Sequence, residues 1–471
     1  MSKRAIKTGV GQLTLTFGFP EPKDAASETQ DNGSQASPTA LPSGITPERK
    51  RKWHSLFDKV FALSNLEEAW QQVQANGGAA GIDGMTIAIF TRDAPERLAH
   101  LHQDLRNKTY RPQPVRRVHI PKSGGGQRPL GIPTIRDRIV QQALRQVLEP
   151  IFEAKFSHRS HGFRPQRGCR TALSVVDQAL RHGYSWVVDA DIAAFFDTVD
   201  HEKLLTALNE EVADGSVLRL IRFILQAGVV LPSASESEPT EEGTPQGGPL
   251  SPLLANVYLH AFDTAMTQAG YGLVRYADDF VIFTKREGEA HAALALCRHW
   301  LQDRLGLRLH PEKTRVVSVA SGFEFLGFHY FRDPKTGLLC KEVRRKSVQR
   351  FRDAIRARTP RLRTQRRVKA AHVTYRRLLK NPRVREMIQD VNTYLHGWHS
   401  YFKTMRGRYM PRFNSFDGFL RRRIRLAITG RVGSGWWNQL LTNTLLRQLG
   451  LRDLETLDAE DRSGSVASPA R

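Results

Sequence analysis

The sequence predicts an α+β body followed by a helical, basic C-terminal part, and three observations carry that prediction. Residues 76 to 335 alternate Gly/Pro turns with apolar runs of strand and helix length. From Lys341 onward, apolar residues recur at helical spacing: Val348, Phe351 and Ile355; Val368, Ala371, Tyr375 and Leu378; then Ile388, Val391, Leu395, Trp398 and Phe402. Two adjacent acids break an apolar run in Val274-Arg275-Tyr276-Ala277-Asp278-Asp279-Phe280-Val281-Ile282-Phe283, the pattern of two strands joined by a tight turn that pushes Asp278 and Asp279 out at its tip.

Taken in order, the chain opens with a short basic arm, Met1 to Lys7, that lacks the apolar core of a secretory signal. Residues Pro20 to Pro47 are rich in Pro, Ser, Asp, Glu and Gly, which reads as a disordered linker, with order beginning near Trp53. Ile120 to Leu130 places Lys122 and Arg128 on either side of a Ser-Gly-Gly-Gly turn, a hairpin suited to gripping a triphosphate. Trp186-Val187-Val188-Asp189-Ala190-Asp191 reads as a buried strand with Asp189 and Asp191 on one face. Gly243 to Leu259 is a Gly/Pro loop running into an apolar helix, where glycines permit close backbone approach and exposed amides favour an anion. The tail beyond Leu457 reads as disordered.

Charge narrows the partner. The 471 residues carry 71 Lys+Arg against 47 Asp+Glu, a net charge of +24, which points to a polyanion and best to nucleic acid. No apolar run approaches the roughly 20 residues that span a bilayer, so no membrane partner and an intracellular location are expected. Cys169, Cys297 and Cys340 are too scattered for a disulfide framework or a zinc knuckle, so no zinc is expected. The polar faces of the C-terminal stripes are almost uniformly basic, with Arg344, Arg345, Lys346, Arg350, Arg366, Arg367, Arg376 and Arg377, continued by Arg421, Arg422 and Arg423. Solvated faces usually mix signs; these suit a phosphate backbone, with binding that weakens steeply as salt rises.

The acids define the chemistry. Asp191 and Asp278 are 278 − 191 = 87 residues apart in sequence, yet a strand carrying the first can end beside a hairpin carrying the second. Three clustered carboxylates would repel or protonate unless cations joined them, which makes Asp191, Asp278 and Asp279 the expected metal set, with Ile192 next to Asp191 counted beside them, and two magnesium ions the expected cofactor, with manganese as a substitute. Such a site suits in-line phosphoryl transfer from a nucleoside triphosphate to a 3′-hydroxyl. Phe196 lies five residues past Asp191, where its ring could fill the space of a ribose 2′-hydroxyl and so favour deoxynucleotides; the neighbouring Phe195 reads as core. Lys313, in Leu309-His310-Pro311-Glu312-Lys313-Thr314, is a candidate general acid for pyrophosphate.

Together these segments resemble the reverse transcriptases encoded by bacterial group II introns, the intron maturases. The matching pieces are Gly81 to Gly84, Ile120 to Pro133, His161 to Arg167, Asp191 to Asp197, Gly243 to Leu259, Tyr276 to Asp279, His310 to Thr314, Phe325 to Phe328 and Gly397 to Phe402. The resemblance implies a right-hand polymerase with fingers and palm at 53–335, a maturase or thumb domain at 336–403 and a basic DNA-binding segment at 404–452, between an N-terminal arm at 1–52 and a disordered tail at 453–471. It implies catalytic Asp191, Asp278 and Asp279, with Lys122, Arg128, Phe196, Gln246 and Lys313 around the incoming nucleotide.

The partners it implies are an intron RNA, an RNA template with a DNA primer or target, and dNTPs. The implied location is the bacterial cytoplasm, and the nucleoid when on target DNA. Two departures stand out. Ala193 and Ala194 replace the Lys-Gly common in relatives, and the Cys-rich endonuclease of some members has no counterpart after Cys340. Degraded acids would favour an RNA chaperone that splices without polymerising, and here all three are present; an intron-derived enzyme serving host repair or defence is hardly separable by sequence.

Overall fold

The computed structural model describes residues 52–121, 127–230, 242–244, 247–362, 381–404, 413–429 and 441–463. The N-terminal arm before Lys52, Lys122, Gln246, the stripe from Val368 to Leu378 and Arg366, Arg367, Arg376 and Arg377 lie outside them. The described residues fall into two compact units, one within Met1–Ile120, Arg128–Tyr184 and Ala190–Val316, the other within Pro121–Gln127, Ser185–Asp189 and Val317–Arg471.

Along the chain as far as Ser318, helices α1 (Phe57–Phe61), α2 (Leu63–Asn76), α3 (Ile87–Arg92) and α4 (Ala94–Arg106) precede strands β1 (Val115–Pro121) and β2 (Gln127–Ile132). Helices α5 (Ile135–Glu153) and α6 (Cys169–Arg181) follow, then β3 (Trp186–Asp191), α7 (His201–Asn209), α8 (Gly215–Leu225) and β4 (Val229–Val230). Helix α9 (Ser251–Gln268) leads into β5 (Gly272–Tyr276), β6 (Asp279–Thr284), α10 (Glu287–Arg298) and β7 (Arg315–Ser318). Local chemistry sets the helix starts. Thr134 caps α5 through Asp137 N (3.1 Å) and Asp200 caps α7 through Lys203 N (3.0 Å). Asp214 caps α8 through Ser216 N (2.9 Å) and also takes Leu56 N and Phe57 N (2.8 and 2.9 Å), tying α1 to α8. A four-stranded sheet runs in the order β5-β6-β3-β7, and a second sheet in the order β2-β1-β4. Helix α9 is buried nearly all round, with Leu254, Val257, Tyr258, Leu259, Phe262 and Met266 in the core, which makes it the spine behind the hairpin of β5 and β6.

In the second unit, β8 (Phe323–Phe325), β9 (Phe328–Arg332) and β10 (Leu339–Val343) form an antiparallel sheet. Among the described residues, helices α11 (Arg345–Arg358), α12 (Pro382–Phe402), α13 (Asn414–Thr429), α14 (Asn443–Gln448) and α15 (Leu454–Ser463) follow. The unit's longest stretch begins at Val317, and in it this sheet packs with the helices: the Phe328 and Phe402 rings lie 5.2 Å apart, and Tyr401 Oη donates to Leu326 O at 2.8 Å. Two of the expected stripes are inward faces here, with Phe351 and Ile355 of α11 and Ile388, Val391, Leu395, Trp398 and Phe402 of α12 buried. Among the described residues, no helix is long and apolar enough to cross a membrane.

The segment expected to be a disordered tail contains α15, and the reason is a buried acid. Asp417 on α13 is fully buried and accepts N–H from Leu454 (2.9 Å) and Glu455 (3.0 Å), capping α15. Burial pushes the Asp417 carboxyl up from 3.8 to about 6. The folded chain therefore holds this proton more tightly than the unfolded chain does. The contribution to stability is fullest below about pH 4 and is lost as pH rises through about 6, at up to about 1.4 kcal/mol per pH unit. Asp417→Asn is expected to flatten that part of the stability profile in thermal melts between pH 4 and 7; an unchanged slope would assign the proton to another group.

Candidate active site

The hairpin of β5 and β6 pairs Leu273 with Ile282, Val274 with Val281, Arg275 with Phe280 and Tyr276 with Asp279. That register leaves Ala277 and Asp278 as the two turn residues, with Asp279 opening β6. Of the two, only Ala277 has a positive φ (59°), the signature of a type II′ turn, in which glycine is the usual first residue. The strands beside it are buried, whereas Asp278 and Asp279 are half-exposed.

An alanine in that conformation needs support, and Arg275 supplies it from behind. Its guanidinium is fully buried, forming a bidentate pair with the equally buried Asp263 of α9 (2.6 and 2.5 Å). Its Nη1 donates to Ala277 O (2.9 Å) and to Asn256 Oδ1 (3.2 Å). Asn256 Nδ2 in turn donates to Gly162 O at 2.9 Å. The outer edge of β5 is covered by residues 159–161: Arg275 N donates to Arg159 O and His161 N to Arg275 O, both at 2.9 Å. Gly162 follows, against the turn itself. A Cβ there would overlap the main-chain nitrogen of Ala277 and stand 3.1 Å from the Tyr276 carbonyl carbon. Beside this loop, burial and the surrounding arginines push the His161 imidazole down to about 3, so it is neutral at physiological pH.

Asp191 reaches the same place from β3. Its carbonyl accepts from His310 N (2.8 Å), Ala193 N donates to Arg308 O (2.8 Å), and Ile192 N faces Asp278 O at 3.4 Å. The structure thus brings the ends of two segments 87 residues apart together (278 − 191 = 87). Lys313 Nζ lies 2.5 Å from Asp191 Oδ2, so the lysine stands on a carboxylate of the site. Among the described residues, no group of three His, Cys, Asp or Glu side chains forms a ready-made metal cage. The donor set is hard carboxylate oxygen at half-exposed positions, and an ammonium already seeks one of them. Such oxygen donors are of the kind that hard divalent cations take.

Phe196 lines a cavity of about 200 Å³ with Arg117, Pro129, Gly131, Asp197 and Gly243. Phe195 is core, 2% exposed, with its ring edge-on to Phe196 at 5.2 Å. The glycine loop is drawn onto this wall: Thr244 N donates to Phe196 O (2.7 Å), and Gly243 takes a φ of 90° with only 3.0 Å between a built Cβ and Phe196 O. Gly247 (φ 122°) would place a Cβ 2.5 Å from Gly131 O, so the loop also fits closely on β2, the strand that carries Arg128.

The basic residues divide. Arg345, Lys346, Arg350 and Arg422 are exposed and Arg344 is half-buried. Arg421 differs from its expected role on the surface: it is 13% exposed and bonded to Asp453 (2.6 Å) and Glu455 (3.3 Å), holding α15. Arg423 likewise donates to Thr359 O (3.1 Å). Sequence reasoning missed Arg275, Asp263, Asn256 and Arg117. The available signal was one arginine inside a strand otherwise apolar on both faces, a charge that must be paired if buried.

A family model described as reverse transcriptase (RNA-dependent DNA polymerase) matches residues 120–330. The chain is 34% identical over 307 residues to Protein YkfC of Escherichia coli (strain K12), covering 57% of this chain and 80% of that protein. It is 42% identical over 252 residues to group II intron-encoded protein LtrA of Lactococcus lactis subsp. cremoris, covering 53% of this chain and 40% of that protein, so it spans less than half of LtrA's length. Nuclear intron maturase 2, mitochondrial, of Arabidopsis thaliana is 31% identical over 193 residues, 33% of this chain and 26% of that protein.

Proposed function

The chain belongs to the reverse transcriptase family, a family of RNA-directed DNA polymerases, among the group II intron-encoded proteins and maturases, and from that premise we propose that it copies its intron RNA into DNA at a new site and assists that RNA in splicing. The observation that best supports this is the meeting of the strand end at Asp191 with the Asp278-Asp279 hairpin, where Ile192 N faces Asp278 O at 3.4 Å.

Asp191, Asp278 and Asp279, with the Ile192 main chain beside them, would hold magnesium as two ions, with manganese able to substitute. Bound there, a metal would supply positive charge to the phosphoryl transfer and would make the primer hydroxyl more acidic. The chain's own residues do the rest. Phe196 walls the nucleotide's sugar, and Gly243 lets the loop close on it. The resemblance assigns the triphosphate to Lys122 and Arg128, and the nucleotide and template to Gln246. Lys313, 2.5 Å from Asp191, holds a proton at Nζ for the leaving pyrophosphate. Arg345, Lys346 and Arg350 present charge to the RNA backbone. Target-primed copying places the protein in the cell interior, on the nucleoid while it acts.

The test is primer extension on an RNA template with magnesium and deoxynucleotides, comparing the intact chain with an Asp278→Ala, Asp279→Ala variant. Extension by the first is expected, with a loss of at least about 10²–10³-fold in the second, the scale for removing groups that stabilise charge in a transition state. If neither extends while both bind RNA tightly, the polymerase reading fails and a splicing-only chaperone takes its place.

A further inference from the structure

Phe163 is a large aromatic left 42% exposed in the loop that braces the catalytic hairpin. Single exposed apolar residues are common and by themselves mean nothing. This one differs in two respects. Its φ is 59°, a left-handed conformation rare for a bulky residue, so the backbone is strained to keep the ring outside. Both neighbours are locked. Gly162 sits against Ala277 and is held through its carbonyl by Asn256. Arg164 forks onto Glu153 (2.9 and 2.8 Å) and donates to Ser157 O and Ser160 O (2.5 and 2.9 Å). The ring is therefore projected from a rigid mount, and what it faces is Tyr276, the residue before the catalytic turn, with centroids 6.5 Å apart and planes tilted by 41°.

We infer that Phe163 and Tyr276 form an aromatic ledge that takes the end of the primer–template duplex beside the reacting hydroxyl. The inference rests on the polymerase reading above and adds a substrate contact to it. Two points favour the duplex over the incoming nucleotide. The nucleotide cavity already has its own aromatic wall in Phe196, and Phe163 does not line it. The chain leaving Phe163 carries Arg167, which also donates to His158 O at 2.9 Å, and Arg170, positive charge of the kind that a nucleic-acid backbone attracts.

The experiment compares intact protein with Phe163→Ala and Phe163→Trp. For Phe163→Ala, the KM for primer–template should rise about tenfold, and a fluorescently labelled primer–template should dissociate about tenfold faster, in keeping with the loss of one stacking contact. The KM for dNTP and kcat at saturation should stay within about twofold, and Phe163→Trp should restore most of the affinity. Unchanged primer–template affinity in Phe163→Ala, or a rise confined to the KM for dNTP, would overturn the assignment. Dissociation is read without chemistry. An intact protein that never extends but still shows the tenfold difference would sink the polymerase reading and keep the ledge as a duplex-binding surface.

Discussion

Gly162→Ala is expected to cut the single-turnover rate of primer extension by at least about a hundredfold while leaving the protein folded. The added methyl would overlap main chain, the nitrogen of Ala277, with the Tyr276 carbonyl carbon at 3.1 Å and Ala277 Cα at 3.2 Å. No rotamer relieves a clash between backbones, so either residues 159–162 or the hairpin must move. Asp278 and Asp279 ride on the part that moves, and a displacement of about 1 Å in a reacting geometry can cost 10²-fold. Gly168→Ala is the control, since a Cβ there meets nothing within 4 Å. Circular dichroism and RNA affinity should match the intact protein in both variants. A Gly162→Ala rate within about threefold of the intact protein would mean that the hairpin is not positioned by this contact.

The second large effect concerns the buried pair under the turn. Arg275→Met leaves Asp263 as an unpaired acid with no exposure to water, and removing one partner of such a pair costs about 3–5 kcal/mol. Urea unfolding should show this loss in Arg275→Met and again in Asp263→Leu. The double variant should recover much of it, because two apolar side chains replace two buried charges. Activity should not recover with stability. Ala277 O would still lack the donor that Arg275 Nη1 supplies at 2.9 Å, and the turn would lose the support for its positive φ. A double variant regaining both would reduce Arg275 to a stability element.

Local pattern accounts for what the sequence made legible. The acids at the hairpin tip, the strand ending at Asp191 and the inward faces of α11 and α12 all follow from short-range periodicity, and the structure has each of them. What escaped depends on partners distant in the chain. Nothing near Gly162 reveals Ala277 across 277 − 162 = 115 residues. Arg421 reads as surface charge until Asp453 is seen beside it, and Asp453 lies in a segment whose polar composition suggests disorder. Helix α15 has few apolar residues of its own, with Leu454 and Leu457 buried, and its start is held by Asp417 from another helix. Such a helix is invisible to periodicity because its stabilising contacts are not its own.

The network behind the turn also bears on what could be transplanted. Tyr276 to Asp279 looks like a portable tetrapeptide, but its conformation is held by residues 159–162, which cover and brace β5, and by Asn256 and Asp263, which hold Arg275 from α9. A designer moving the acids alone into another scaffold would carry the ligands without their mount. For the turn by itself the smallest portable unit is three discontinuous pieces of chain, two of which contribute no acid to its tip.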